Sequence, residues 1–227
     1  MRRILLILTT VAVLGAGGAY GVFAMMSGGG PDPVELSQAT PDGSGPAGSL
    51  DGRWVVSGPD SFVGYRVREK LAFLPAPNDA VGRTSSVTGS MSINGLTVSN
   101  VDVTADLRDL RSDREMRDNR LRELGLETDR FPEARFVLTE PITFRTHPEA
   151  GTRVSRDVRG RLTLHGVTRD VTVPVRGQWT WGRIEVVGSL GIRFADYRIE
   201  QIRLSQVTTE DNGTMEFRLV FVPQEES

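Results

Sequence analysis

The chain of 227 residues contains no cysteine. That absence excludes disulfides, thiolate metal sites, a cysteine nucleophile and a lipid-modified cysteine anchor. Histidine is almost absent as well, with two in the chain. His147 precedes a proline in a polar stretch, His165 sits at a turn, and no HExxH pattern occurs. Zinc-type chemistry has little to build on. A GxSxG nucleophile elbow is also lacking. Lys70 is the single lysine among 27 basic residues, and 29 acids bring the net charge to −2. Such a surface has no general attraction for phosphate backbones, so nucleic acid is not an expected partner. Acids and arginines interleave between residues 108 and 135, as on a solvated, ion-paired face. With no catalytic residue, metal site or cofactor motif to assign, the expected class is a binding protein and not an enzyme.

One long apolar run is present. Arg2 and Arg3 precede an uncharged stretch from Ile4 to Ser27, and about 20 such residues span a bilayer. The two arginines should stay in the cytoplasm, which places the rest of the chain outside the cell membrane. Residues 1–27 are therefore expected to be a transmembrane anchor or a signal peptide. The run exceeds the apolar region of about 7–15 residues usual in a cleaved signal, so a single-pass anchor fits better. Cleavage after Val22-Phe23-Ala24 would give a secreted protein instead. Residues 28–51 are dominated by Gly, Pro, Ser and Asp, a composition expected of a flexible tether. Gly43 to Gly48 matches GxGxxG, but it lacks the preceding strand and following helix of a nucleotide site.

From residue 52 to 227 the dominant period is two, the mark of half-buried strands. Val63, Tyr65 and Val67 alternate with Phe62, Gly64 and Arg66, and the same pattern recurs at Val101–Leu107, Ala134–Leu138, Val171–Val175, Leu190–Phe194 and Met215–Phe221. Asn94-Gly95, His165-Gly166, Trp181-Gly182 and Asn212-Gly213 read as tight turns between strands. About eight short strands with antiparallel joints predict an all-β sandwich or barrel. The exception is Ser112–Leu124, where Ser112 and Glu115 form a capping box and Gly125 can end the helix. Its thin apolar stripe of Met116, Leu121 and Leu124 predicts one short helix lying across a barrel mouth.

Several segments resemble one family. Ser61–Val67 is similar to its opening serine-then-alternating strand. Phe131-Pro132-Glu133-Ala134-Arg135-Phe136 is similar to its "Y/F-P-x-A-x-F" step, and Gly160–Thr168 to its "G-x-L-T-x-x-G-V-T" hairpin. Arg117-Asp118 and Leu121-Arg122 follow its helix pattern. Between Trp54 and Val222 the chain thus resembles the YceI-like family of exported bacterial proteins. Glu69 stands where the family often has histidine, and Arg198 where glycine is usual. The resemblance implies an up-and-down, lipocalin-like antiparallel barrel that binds an isoprenoid or quinone-like lipid. The expected lipid-binding residues are the inward positions Val63, Tyr65, Val67, Phe136, Leu138, Leu162, Leu164, Leu190, Ile192 and Phe194. Arg117 is expected to pair the helix to the barrel. A ligand-free extracytoplasmic interaction module on a stalk is the alternative.

Overall fold

The computed structural model describes residues 31–38, 50–72, 76–180, 182–205 and 207–224. The apolar run 1–27 and the GxGxxG match lie outside these residues. Among the described residues no helix is long and apolar enough to cross a membrane.

The strands, in chain order, are β1 (Gly52–Val56), β2 (Phe62–Leu71), β3 (Asn78–Thr84), β4 (Val87–Asn94), β5 (Thr97–Asp106), β6 (Arg111–Ser112), β7 (Glu133–Leu138), β8 (Ile142–Thr143), β9 (Arg153–Leu164), β10 (Val167–Thr180), β11 (Arg183–Arg193), β12 (Arg203–Leu204), β13 (Val207–Thr209) and β14 (Asn212–Pro223). All pairings are antiparallel, and β14 pairs with β11 on one side and with both β1 and β2 on the other. β1 pairs with β4, and β2 with β3. β1 and β2 therefore act as one broken stave, and β3 and β4 as the next. The ring then runs through β5, β7, β9, β10, β11 and β14 and closes, giving the expected eight-stave barrel. Closure leaves no exposed sheet edge along the staves.

The break between β1 and β2 explains the serine at the head of the family-like strand. A single 3-10 turn, Gly58–Asp60, bridges the two halves. Where the ladder is interrupted, the buried Ser61 Oγ accepts a hydrogen bond from Val220 N at 2.9 Å. Ser57 N donates to Val220 O at 2.8 Å. Both backbone groups of Val220 are thus satisfied where neither β1 nor β2 pairs with it, as buried backbone groups require.

The helix is shorter than its sequence signature. α1 (Glu115–Arg120) runs on into a π turn, Leu121–Gly125, and Arg114 occupies the N-cap. Ser112 lies in β6, paired to β3. Its capping partner is not Glu115 but the buried Asp118, which accepts from Ser112 N at 3.0 Å and Ser112 Oγ at 2.6 Å. Holding Ser112 in the sheet is what delays the helix. A second departure concerns Asn212-Gly213. These residues begin β14, opposite Arg193 and Ile192, and make no turn. At His165-Gly166 the expected two-residue turn is present, with φ values of 50° and 71°.

Part of the expected free tether is docked. Pro31–Gln38 runs across the outer wall of β2, β14, β11 and β10. Ser37 N and Oγ both donate to Glu185 Oε1 at 3.1 Å, Gln178 Nε2 donates to Ser37 O at 3.0 Å, and Arg218 reaches Ser37 Oγ. Upstream, Arg176 donates to Val34 O and Arg66 to Pro31 O. Val187 faces outward yet is only 1% exposed. Its ladder neighbours are Arg176 and Arg218, the residues that grip the strap, and Leu36 within the strap is itself buried. Leu36→Ala is expected to lower stability by about 2–5 kcal/mol, the range for truncating a buried leucine. Urea unfolding checks this; an unchanged midpoint would mean the strap does not hold the wall.

Candidate functional site

Alternation along closed staves sends every second side chain into the bore, and the bore holds two cavities. The first, about 220 Å³, is lined by Met91, Val103, Phe136, Leu162, Phe217 and Phe221 among others. Polar groups on its wall are few, and include His147 and Arg156. The second, about 540 Å³, is lined by Tyr65, Val67, Leu107, Leu164, Ile192 and Phe194 below and by Met116, Arg117, Leu121 and Ile202 above. Its size falls within the range of about 300–1,000 Å³ typical of small-ligand pockets. Val63, Ala134 and Met215 line both. They form a shared waist between an apolar chamber and a wider one whose rim is polar.

Large aromatic rings do not choke the bore, because glycines receive them. A Cβ on Gly160 would lie 2.3 Å from Phe136 Cζ, and one on Gly82 would lie 2.4 Å from Tyr65 Cε1. Each ring therefore lies flat on the neighbouring stave. Phe136 and Gly160 belong to the two most specific family-like segments. β7 and β9 are adjacent, with Phe136 opposite Leu162, so those segments form one packing unit. Phe131 lies over Gly166 in the same way at the turn, tilted by 58° against the His165 ring at 4.3 Å between centroids.

Most of the expected lipid-binding positions meet in this bore. Phe136 and Leu162 line the first chamber, Tyr65, Val67, Leu164, Ile192 and Phe194 the second, and Val63 the waist. Leu190 packs against the cluster around the second chamber without lining it. Leu138 lines neither cavity: β7 ends there, and beyond it Ile142 and Phe144 carry the wall. Sequence periodicity missed Ile142 and Phe144 because β8 has two residues, too few to show a period. It also missed Leu110, Ile199 and Ile202, which sit in irregular chain around the upper mouth.

The polar rim of the second chamber is built from opposed charges. Arg117 Nη2 donates to Glu69 Oε1 at 2.6 Å, and Arg117 also pairs with Asp113 one helical turn away. Both Arg117 and Glu69 are largely buried, so the pair staples α1 to β2 as expected. Below them, burial pushes the Tyr65 phenol up to about 12; Arg117 and Ser112 oppose the shift, while Asp118 and Glu69 add to it. Between pH 10 and 12 the unfolded chain has lost a proton that folded Tyr65 still binds, so stability should fall as pH rises through that window. Absorbance titration should show a late phenol that disappears in Tyr65→Phe; a wild type without a late phase would contradict the burial.

His165 is engaged in structural contacts. His165 Nδ1 donates to Tyr197 O at 3.0 Å, and Nε2 lies 2.9 Å from Glu127 Oε2, which ties the β9–β10 turn to two loops. Arg130 first and His165 second hold the Glu127 carboxyl below its usual range. Among the described residues no group of three or more His, Asp or Glu could hold a metal ion.

Comparison with known proteins agrees with this architecture. The YceI-like domain model matches residues 54–221. Two UPF0312 proteins of Vibrio vulnificus, strains YJ016 and CMCP6, are 32% identical over 127 residues, which is 52% of this chain and 64% of theirs. The chain thus spans a little under two thirds of those relatives. Among solved structures, a polyisoprenoid-binding domain from Saccharophagus degradans superimposes with a TM-score of 0.59 at 18% identity, covering 75% of this chain and 98% of that one. Burkholderia cenocepacia BcnA gives a TM-score of 0.54 at 20% identity, covering 73% and 98%. Both share the fold, and the match of the domain model over most of the chain shows the kinship: this protein belongs to the YceI-like family.

Proposed function

We propose that the chain is an exported, membrane-tethered carrier that holds an apolar lipid of polyisoprenoid or quinone type in its bore and catalyses no reaction. The observation that carries this reading is the pair of apolar chambers joined at Val63, Ala134 and Met215. A long, thin, apolar tail suits such a bore. Burial is worth about 0.8 kcal/mol per CH₂, so about 15 buried carbons would gain on the order of 12 kcal/mol before association costs. The polyisoprenoid-binding domain that shares the fold supports the ligand class. Export and a single membrane pass rest on Arg2, Arg3 and the apolar run behind them. The absence of catalysis rests on the state of the rim charges: Arg117, Glu69 and Asp118 are engaged in structural pairs and bonds.

The test is organic extraction of the purified full chain, with mass spectrometry of the extract. A recovered isoprenoid or quinone in near-stoichiometric amount is the expected result. An extract without lipid from protein purified out of native membranes would favour a ligand-free interaction module.

A further inference from the structure

The described residues expose three large apolar side chains, Met116 at 65%, Leu124 at 50% and Leu204 at 39%. Single exposed apolar residues are ordinary on protein surfaces. These three are not scattered. Met116 lies on α1 and Leu124 on the π turn that extends it. Leu204 lies on β12, whose partner β13 continues the sheet from the end of β2. The two elements meet, since Ile202 Cδ1 lies 3.5 Å from where a Gly125 Cβ would be. Together they form the lid of the second chamber, and Met116 also lines that chamber.

The lid also carries arginines without carboxylate partners. Arg120 lines the mouth and has no hydrogen bond or ion pair among the described residues. Among the described residues the Arg122 side chain bonds only Asn119, at 3.2 Å, and the Arg203 side chain only Gln201, at 2.7 Å. Apolar tips flanked by cations are the surface pattern of elements that lie in a membrane interface. Glu115, Glu123 and Glu200 share the lid, so its charge is mixed, and apolar contact carries more of the attraction than charge does.

From this placement we infer that the lid is a docking surface for a phospholipid bilayer. It would set the mouth of the second chamber against the membrane. An apolar tail could then pass between bilayer and bore without crossing water, where every exposed methylene costs transfer free energy. The purpose of the contact rests on the lipid-holding function proposed above; the surface itself rests on Met116, Leu124, Leu204 and the free arginines.

Because the chain has no cysteine, Leu124→Cys and Leu204→Cys each take a single polarity-sensitive fluorophore. Asn94→Cys, at the end of β4 beside the Gly95-Leu96 turn at the opposite end of the barrel, is the control. The full chain is combined with vesicles of phosphatidylcholine and phosphatidylglycerol that carry doxyl-labelled lipid. Blue-shifted, quenched emission at 124 and 204 with none at 94 is the expected result. Adding Arg120→Gln and Arg122→Gln should lower the ratio of docked to undocked lid by about fivefold per charge removed. Water-like emission at 124 and 204, or equal quenching at 94, would overturn the proposal. So would disulfides between copies of the unlabelled Leu124→Cys or Leu204→Cys proteins, with no quenching of the labelled ones, which would mean that a second copy covers the lid. Extraction of the same preparations separates the two readings. Lipid recovered with an unquenched lid removes the docking surface alone, and a quenched lid with no lipid removes the carrier function alone.

Discussion

Arg117→Met should destabilise the fold by about 3–5 kcal/mol, the cost of stranding one charge of a buried pair. Glu69 is buried and faces Arg117 at 2.6 Å, so the substitution leaves its carboxylate without a cation. Removing the other partner is expected to cost less. In Glu69→Leu the guanidinium keeps Asp113, one helical turn away on the exposed side. Taking both charges away, in Arg117→Met with Glu69→Leu, should restore part of the loss, because an apolar pair of similar volume escapes the desolvation cost. A double-mutant cycle by urea unfolding reads this directly. Strong positive coupling is expected; additive losses would mean that the helix is held by its other contacts and that the pair is incidental.

The second large effect separates a packed core from an open bore. Leu162 reaches the wall of the first chamber, but it is 1% exposed and sits in a buried cluster with Leu107, Leu110, Ala134 and Leu164. Leu162→Ala should therefore cost about 2–5 kcal/mol whether or not lipid is present. Phe136 is half-buried and lies against Gly160 with its free face on the first chamber. Truncating a packed phenylalanine costs about 3–5 kcal/mol, but here one side of the ring already faces open space. Phe136→Ala should cost less than that in delipidated protein. In loaded protein it should cost more, because a ligand stabilises only the folded state and the ring forms part of its contact surface. Unfolding both variants before and after delipidation is the measurement. Equal, large losses for Phe136→Ala in both states would mean a core filled by side chains.

The sequence was legible where one chemical signal decides the structure. Val63, Tyr65 and Val67 follow a strict period of two inside a long strand, and they line the bore. His165-Gly166 takes the positive φ its residue types permit, and the turn is there. Signals that compete with a tertiary partner were misread. Asn212-Gly213 has the residues of a turn, yet pairing with Ile192 and Arg193 extends β14 through it. Ser112 has the chemistry of an N-cap, but β3 and Asp118 claim it. Pro31–Gln38 has the composition of a free linker, and composition averages over residues. What docks it is specific: one serine meeting Glu185, Gln178 and Arg218, and one buried leucine beside it. The division of the bore at Val63, Ala134 and Met215 could not be read from any one strand, since the waist forms only when β2, β7 and β14 face one another.

Native mass spectrometry of the intact chain, purified without organic solvent, tests most directly whether the bore holds a lipid. One adduct of polyisoprenoid or quinone mass per chain is expected, lost on delipidation and regained with added polyprenol. Leu162→Asp, which places a charge at the bore wall, should lose the adduct if it folds. A bare chain mass in every preparation, with no shift when polyprenol is added to a folded protein, would contradict it.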